Sequence, residues 1–208
     1  MNKYHRYVNL PFELERPPQA NGDKEGPYHQ DLREWRVPEM EEWLANLGCV
    51  VKHTEIFYTP AGGEIPIHTD ELYLSDQVKF NTTWGPEEGK VIWWKGDPEK
   101  VSKVVNYLET DVYERFGEET VKNFSDRPDG VVVVLPEKED CVKVYEASTN
   151  KTSMLNVGQL HSTSSPKTAG RWTLCFVPGI DKGADEIEYI QWDDALKIFN
   201  DYLEEGSE

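Results

Sequence analysis

EIFYTPAGGEIPIHTD, residues 55–70, closes on His68-Thr69-Asp70. In an extended chain successive side chains point to opposite faces, so His68 and Asp70 share a face and Thr69 takes the other. An imidazole and a carboxylate side by side make two neighbouring arms of a metal site. The first half of the stretch is a strand bearing Tyr58, and Gly62-Gly63 allow a tight turn before the second half. A third arm must come from elsewhere in the chain, and the best candidate is His161.

Working outward, the frame around these residues is written mainly in period two. Segments 49–58, 65–68, 78–83, 91–95, 131–136, 142–147, 153–160 and 171–177 are rich in Val, Ile, Thr and aromatics and are punctuated by Gly, Pro and Asn, which predicts strands. Residues 186–192 are a further candidate. About eight strands close a small barrel or a double-sheet jelly roll. Residues 4–14 alternate weakly, as an edge strand would, and 16–27 (RPPQANGDKEGP) read as a loop.

Three segments predict helix. Residues 38–47 open on Pro38, carry acids in the first turn and end at Gly48. Val101, Val104, Val105, Leu108, Val112, Phe116 and Val121 suggest a helical insert over about 98–123, packed outside the sheet or as a lid. Leu196, Ile198, Phe199, Tyr202 and Leu203 mark an amphipathic helix over about 193–205. The expected architecture is mainly β, a jelly roll with flanking helices, in one domain over 1–208 with its core at about 49–192.

Composition narrows the function classes. The 208 residues carry 22 Lys+Arg against 39 Asp+Glu, a formal charge of -17. Such a field repels phosphates, which disfavours nucleic acid and anionic membranes as partners. Three cysteines, Cys49, Cys141 and Cys175, with no CxxC spacing, fit a reduced, cytoplasmic chain. No apolar run approaches the ~20 residues of a membrane span, and the first residues lack the apolar core of a secretory signal. There is no Gly-rich phosphate loop and no GxSxG.

His-x-Asp, a long gap, then His is the sequence form of the 2-His-1-carboxylate facial triad, which suits Fe(II) and leaves coordination positions open. Each part alone has a plainer reading: His-x-Asp is usually a surface turn, and a lone histidine is usually a hydrogen-bonded one. Arg171-Trp172-Thr173 shifts the balance. Arg171 and Thr173 share a strand face, and an inward arginine is costly unless paired. No acid alternates with it, so a ligand carboxylate would answer the charge, with the Thr173 hydroxyl assisting.

On Tyr58-x9-His68-Thr69-Asp70, Leu160-His161 and Arg171-Trp172-Thr173, the chain resembles the Fe(II)/2-oxoglutarate-dependent oxygenase superfamily, in the branch of prolyl hydroxylases and aspartyl/asparaginyl β-hydroxylases. The resemblance covers roughly 55–178. It implies a double-stranded β-helix, with His68, Asp70 and His161 holding Fe(II). It implies that Arg171, with Thr173, holds the distal carboxylate of the co-substrate 2-oxoglutarate, and that Tyr58 and Asn81 lie beside it. Trp93 and Trp94 sit on a strand expected to back the cavity, one of them inward, and Asn156 either points into the barrel or caps a turn. The implied reaction uses O₂ to hydroxylate a C–H bond of a peptide side chain or small molecule, releasing succinate and CO₂. Two competing readings are a cupin-like metalloenzyme that needs no 2-oxoglutarate and a non-catalytic jelly-roll module.

Overall fold

The computed structural model describes residues 2–32, 35–70, 76–96, 104–106, 132–134, 136–184 and 186–204. Their strands are β1 (His5–Tyr7), β2 (Tyr28–Asp31), β3 (Val50–Thr59), β4 (Glu64–His68), β5 (Val78–Trp84), β6 (Lys90–Gly96), β7 (Val104–Asn106), β8 (Val132–Val134), β9 (Cys141–Ser148), β10 (Ser153–Asn156), β11 (His161–Ser164), β12 (Arg171–Gly183) and β13 (Glu186–Tyr189). Helix α1 spans Pro38–Asn46 and α2 spans Trp192–Ile198.

Strand order identifies the architecture. A large sheet runs β1-β10-β5-β12-β3-β2, with β13 paired to the far half of β12, and a small sheet runs β4-β11-β6-β9. Along the chain β3, β4, β5 and β6 alternate between the two sheets, β9 pairs with β6, and β10, β11 and β12 alternate again. All these pairings are antiparallel. This is a double-stranded β-helix, the jelly roll anticipated above, with β1, β2 and β13 extending the large sheet.

The two faces of the large sheet differ in chemistry. Ile56, Phe80, Leu174 and Phe176 lie on its outer face and are fully or nearly fully buried. They belong to one core with Met40, Trp43 and Leu44 of α1 and Trp192 and Ala195 of α2. Trp43 ties the layers: its ring lies 5.5 Å from Phe80, 5.5 Å from Phe199 and 5.3 Å from Tyr202. The inner face, between the sheets, alternates with these residues and is largely polar. The main hydrophobic core therefore lies outside the jelly roll, and the space inside is left for a cavity. Among the described residues, Val91, Trp93, Leu155 and Val157 form a smaller apolar cluster, with Tyr4 and Tyr145 packed against it.

Several boundaries differ from the sequence reading. Residues 104–106 are strand, paired antiparallel with 132–134, where helical spacing suggested a helical insert. Their valines are β-branched and favour the pleated surface over the helix. The rest of 98–123 lies outside the described residues. The C-terminal helix ends at Ile198, followed by a short 3-10 turn over Asn200–Tyr202, and Leu203 bridges to Val8. Asn200 and Asp201 are weak helix formers, and the backbone there is taken up by the N-terminal strand region. Segment 153–160 is strand only to Asn156, because the chain then crosses from the large sheet to the small one. Strands β2 and β11 were not anticipated. Among the described residues no helix is long and apolar enough to cross a membrane.

Two stability outcomes follow from this packing. Trp43→Ala removes the ring shared by α1, the sheet and the C-terminal segment and should cost about 3–5 kcal/mol in a urea unfolding titration. His5 is buried with Nε2 3.1 Å from the Ser153 hydroxyl, and burial, then the nearby Arg6 charge, lowers its pKa from 6.5 to about 4. Below 6.5 the unfolded chain takes up a proton that the folded chain refuses, so stability should fall as pH drops from 6.5 towards about 4. Melting temperatures across that window should show a shallower slope for His5→Asn.

Candidate metal centre

Strand pairing brings the three candidate ligands together. His161 on β11 is the register partner of His68 on β4, which sets the two imidazoles side by side with ring centroids 4.4 Å apart. Asp70 follows two residues after His68, its N–H donating to the Val157 carbonyl at 2.9 Å. One ligand atom from each of His68, Asp70 and His161 lies within 4.8 Å of the others. Thr69 turns the opposite way and is fully buried.

The hydrogen bonds fix which nitrogens face the centre. His68 Nδ1 donates to the Pro66 carbonyl at 2.7 Å, and His161 Nδ1 donates to the Gln159 carbonyl at 3.0 Å. A carbonyl only accepts, so each Nδ1 carries a proton and each Nε2 of a neutral ring presents a lone pair. Both Nε2 atoms face Asp70 Oδ1, at 3.3 Å and 3.9 Å. Burial lowers the His161 pKa from 6.5 to about 4, which keeps this ring neutral near pH 7. Two nitrogen lone pairs and a carboxylate oxygen converging on one point repel unless a cation lies between them. The donor set, two imidazoles and one carboxylate with carbonyl-oriented Nδ1 atoms, fits a divalent ion such as Fe(II).

The centre opens into a cavity of about 140 Å³ between the sheets. At its other end lies Arg171, 2 % exposed. Its Nη1 donates to the Thr149 hydroxyl, while its Nε is buried without a partner. Among the described residues no carboxylate pairs with it, and burial lowers its pKa to about 10. Two glycines make room for it: a Cβ on Gly89 would lie 2.7 Å from Nη1, and one on Gly85 would lie 2.7 Å from the arginine Cβ.

The other anticipated residues fall as follows. Thr173 lines the cavity one inward position from Arg171, its hydroxyl 3.4 Å from that of Thr83. Asn81 lines it too, and its Oδ1 is buried without a partner. Tyr58 reaches the cavity edge, but its hydroxyl donates to Asp23 at 3.0 Å and its ring packs on Trp172 at 5.0 Å, so it also anchors the loop before β2. Trp93 is the inward tryptophan, fully buried and donating to the Asn156 carbonyl at 2.9 Å. Trp94 packs near Ile67 and Leu160 and donates to Ser162. Asn156 does not reach the centre; its amide donates to Lys3 O and Asp76 Oδ1. Cys175 is buried and lines the cavity.

Sequence reasoning missed the buried charges beside the centre. Lys79 Nζ lies 2.8 Å from Asp70 Oδ2 and 2.8 Å from Glu55 Oε1. His29 and His53 approach Glu55 Oε2 at 2.9 Å and 3.5 Å. Burial alone would raise the Glu55 pKa, but the Lys79 ammonium and the histidine hydrogen bonds outweigh it and hold the carboxyl well below its usual range. Asp70 follows the same pattern: burial opposes ionisation, and the Lys79 ammonium outweighs it. The available signal was alternation: Lys79, Asn81 and Thr83 share one face of β5 while Val78 and Phe80 share the other.

No family model matches the sequence, and no curated protein is matched by it. Solved structures similar to the chain include HygX from Streptomyces hygroscopicus with nickel and 2-oxoglutarate bound, 13% identical over 84% of this chain and 83% of that chain, with a TM-score of 0.39. AviO1 from Streptomyces viridochromogenes Tue57 is 18% identical over 88% of this chain and 76% of its own, with a TM-score of 0.38. E. coli ycfD is 11% identical over 83% of this chain and 41% of its own, with a TM-score of 0.38. At such identities and scores the candidate site rests on its own geometry.

Gly89→Ala tests the cradle around Arg171. The added methyl group meets the guanidinium at 2.7 Å and should displace it, weakening binding of a small dicarboxylate roughly tenfold or more in a calorimetric titration.

Proposed function

We propose that this protein is an Fe(II)- and 2-oxoglutarate-dependent dioxygenase that hydroxylates a C–H bond of a peptide side chain or small molecule, acting as one domain over 1–208 in a reducing, aqueous compartment. The observation that carries this reading is a single cavity with a His68-Asp70-His161 cluster at one end and, at the other, the buried Arg171, which has no carboxylate partner among the described residues. One end asks for a divalent cation and the other for a carboxylate. 2-Oxoglutarate answers both, with a 2-oxo acid group to meet the metal and a distal carboxylate for the arginine.

Charge bookkeeping supports the same ligand. Glu55 and Asp70 offset Lys79 and Arg171 in the interior, so a bound divalent cation leaves it two charges positive, and a dianionic co-substrate restores neutrality. Iron held by His68, Asp70 and His161 would supply the activation of O₂, coupled to oxidation of 2-oxoglutarate to succinate and CO₂, with one oxygen atom going to succinate and the other to the substrate. The chain's own part is placement. The Nδ1 bonds to Pro66 and Gln159 hold both imidazoles in the ligating tautomer. Arg171 takes the distal carboxylate through Nε and Nη2, because Nη1 is given to Thr149, and Thr173 adds a hydroxyl contact. Asn81 lines the same cavity, where its side-chain amide can donate to the co-substrate.

Within the superfamily, the tyrosine-bearing strand before His68 and the Arg171-Trp172-Thr173 strand favour the branch of prolyl and aspartyl/asparaginyl hydroxylases. A cupin-like metalloenzyme without 2-oxoglutarate would leave Arg171 unexplained.

Anaerobic addition of Fe(II) and 2-oxoglutarate should produce a visible metal-to-ligand charge-transfer band, and aerobic incubation should form succinate. Asp70→Ala and His161→Ala should abolish both. Arg171→Leu should weaken 2-oxoglutarate binding by at least tenfold while Fe(II) still binds. Absence of the band in the wild-type protein, with iron bound, would sink the 2-oxoglutarate reading in favour of the cupin-like one.

A further inference from the structure

Asp70 has two carboxylate oxygens, and the structure gives them different neighbours. Oδ1 faces the two Nε2 atoms of the metal cluster, at 3.3 Å and 3.9 Å. Oδ2 faces the Lys79 ammonium at 2.8 Å. Lys79 is only 7 % exposed and is held from its other side by Glu55 Oε1 at 2.8 Å. Glu55, 1 % exposed, is in turn met on Oε2 by His29 and His53. His29, His53 with Glu55, and Lys79 come from β2, β3 and β5, so three strands converge on one side of a single ligand that lies just after β4.

A buried ion pair is expensive to assemble and adds little net stability, so its retention asks for a use. We infer that the buried Glu55–Lys79 pair, braced by His29 and His53, is a positioning device that reserves Asp70 Oδ2 for the ammonium and presents only Oδ1 to the metal. The inference rests on the metal reading of the cluster. A carboxylate free to rotate could chelate an ion through both oxygens and take a coordination position that an incoming ligand needs. With Oδ2 committed to Lys79, Asp70 occupies one position. Glu55 also balances the Lys79 charge, so the ammonium orients Asp70 without adding net positive charge beside the ion. Lys79 and Glu55 are thus positioning residues, acting through Asp70.

Lys79→Met alone would leave Glu55 buried with one cation fewer, so the informative variant is Glu55→Gln/Lys79→Met, which removes the pair at constant net charge. Fe(II) affinity should be measured by anaerobic titration, with circular dichroism reporting the fold and Lys143→Met, an exposed lysine on β9, as control. The double variant should keep the wild-type spectrum, bind Fe(II) ten- to a hundredfold more weakly, and lose most of its 2-oxoglutarate charge-transfer intensity per bound iron; the control should match wild type. A folded double variant with wild-type affinity and intensity would overturn the inference and leave the metal reading standing. Failure of the wild-type protein to bind Fe(II) would remove both. Should the double variant not fold, a crystal structure of the wild-type protein loaded anaerobically with Fe(II) decides: Oδ1 on the metal with Oδ2 still on Lys79 upholds the device, and a chelating Asp70 or a displaced Lys79 refutes it.

Discussion

Glu55, Asp70, Lys79 and Arg171 sit between two sheets, in a space that would exact several kcal/mol from each charge left unmatched. Three of the four match one another: Glu55 to Lys79, and Lys79 to Asp70. Arg171 is matched only by a neutral threonine among the described residues. The rest of the structure follows from this imbalance. The inner face of the large sheet is polar because it serves these charges, so cohesion has to come from the outer face, where α1 and α2 close over Ile56, Phe80, Leu174 and Phe176. The glycines around the guanidinium and the paired threonine hydroxyls leave room beside a buried cation for something anionic.

Much of this was legible in the sequence, for local reasons. Strand alternation is a property of neighbouring residues, so His68 and Asp70 could be placed on one face without knowing the fold, and Arg171 with Thr173 likewise. The jelly roll was legible because its strands carry apolar residues on at least one face. Strand β11 was not, because neither face is apolar: His161 and Thr163 look to the cavity, and Ser162 accepts the Trp94 indole N–H. Strand β2, YHQD, escaped for a related reason, since its His29 is spent on Glu55. The valines of 104–106 show the opposite failure, where spacing suited a helix and side-chain branching decided for a strand.

What the sequence could not show was who pairs with whom across long separations. Lys79 reads as an ordinary surface lysine in VKFNTTW until β5 is placed beside β12 in the large sheet and opposite the small sheet. Glu55 lay inside the decisive stretch, yet its role depends on His29, 26 residues earlier, and on Lys79, 24 residues later. The fold turns these into one chain of contacts ending at Asp70. The opposed register of β4 and β11 does the same for His68 and His161, making a cross-strand pair of two histidines that are far apart in the chain.

Placing the cohesive core on the far side of the large sheet has an evolutionary consequence. Trp43, Phe80 and Phe199 hold the helices to the sheet without touching the cavity, while inward positions on the same strands are reached by alternate residues of an unbroken ladder. Chemistry and cohesion are thereby assigned to opposite sides of the same strands. Mutations inward at uncharged positions such as Asn81 and Thr83 can retune which molecule is accepted while the melting point stays nearly constant, so such a scaffold can drift between substrates through a continuous series of folded intermediates.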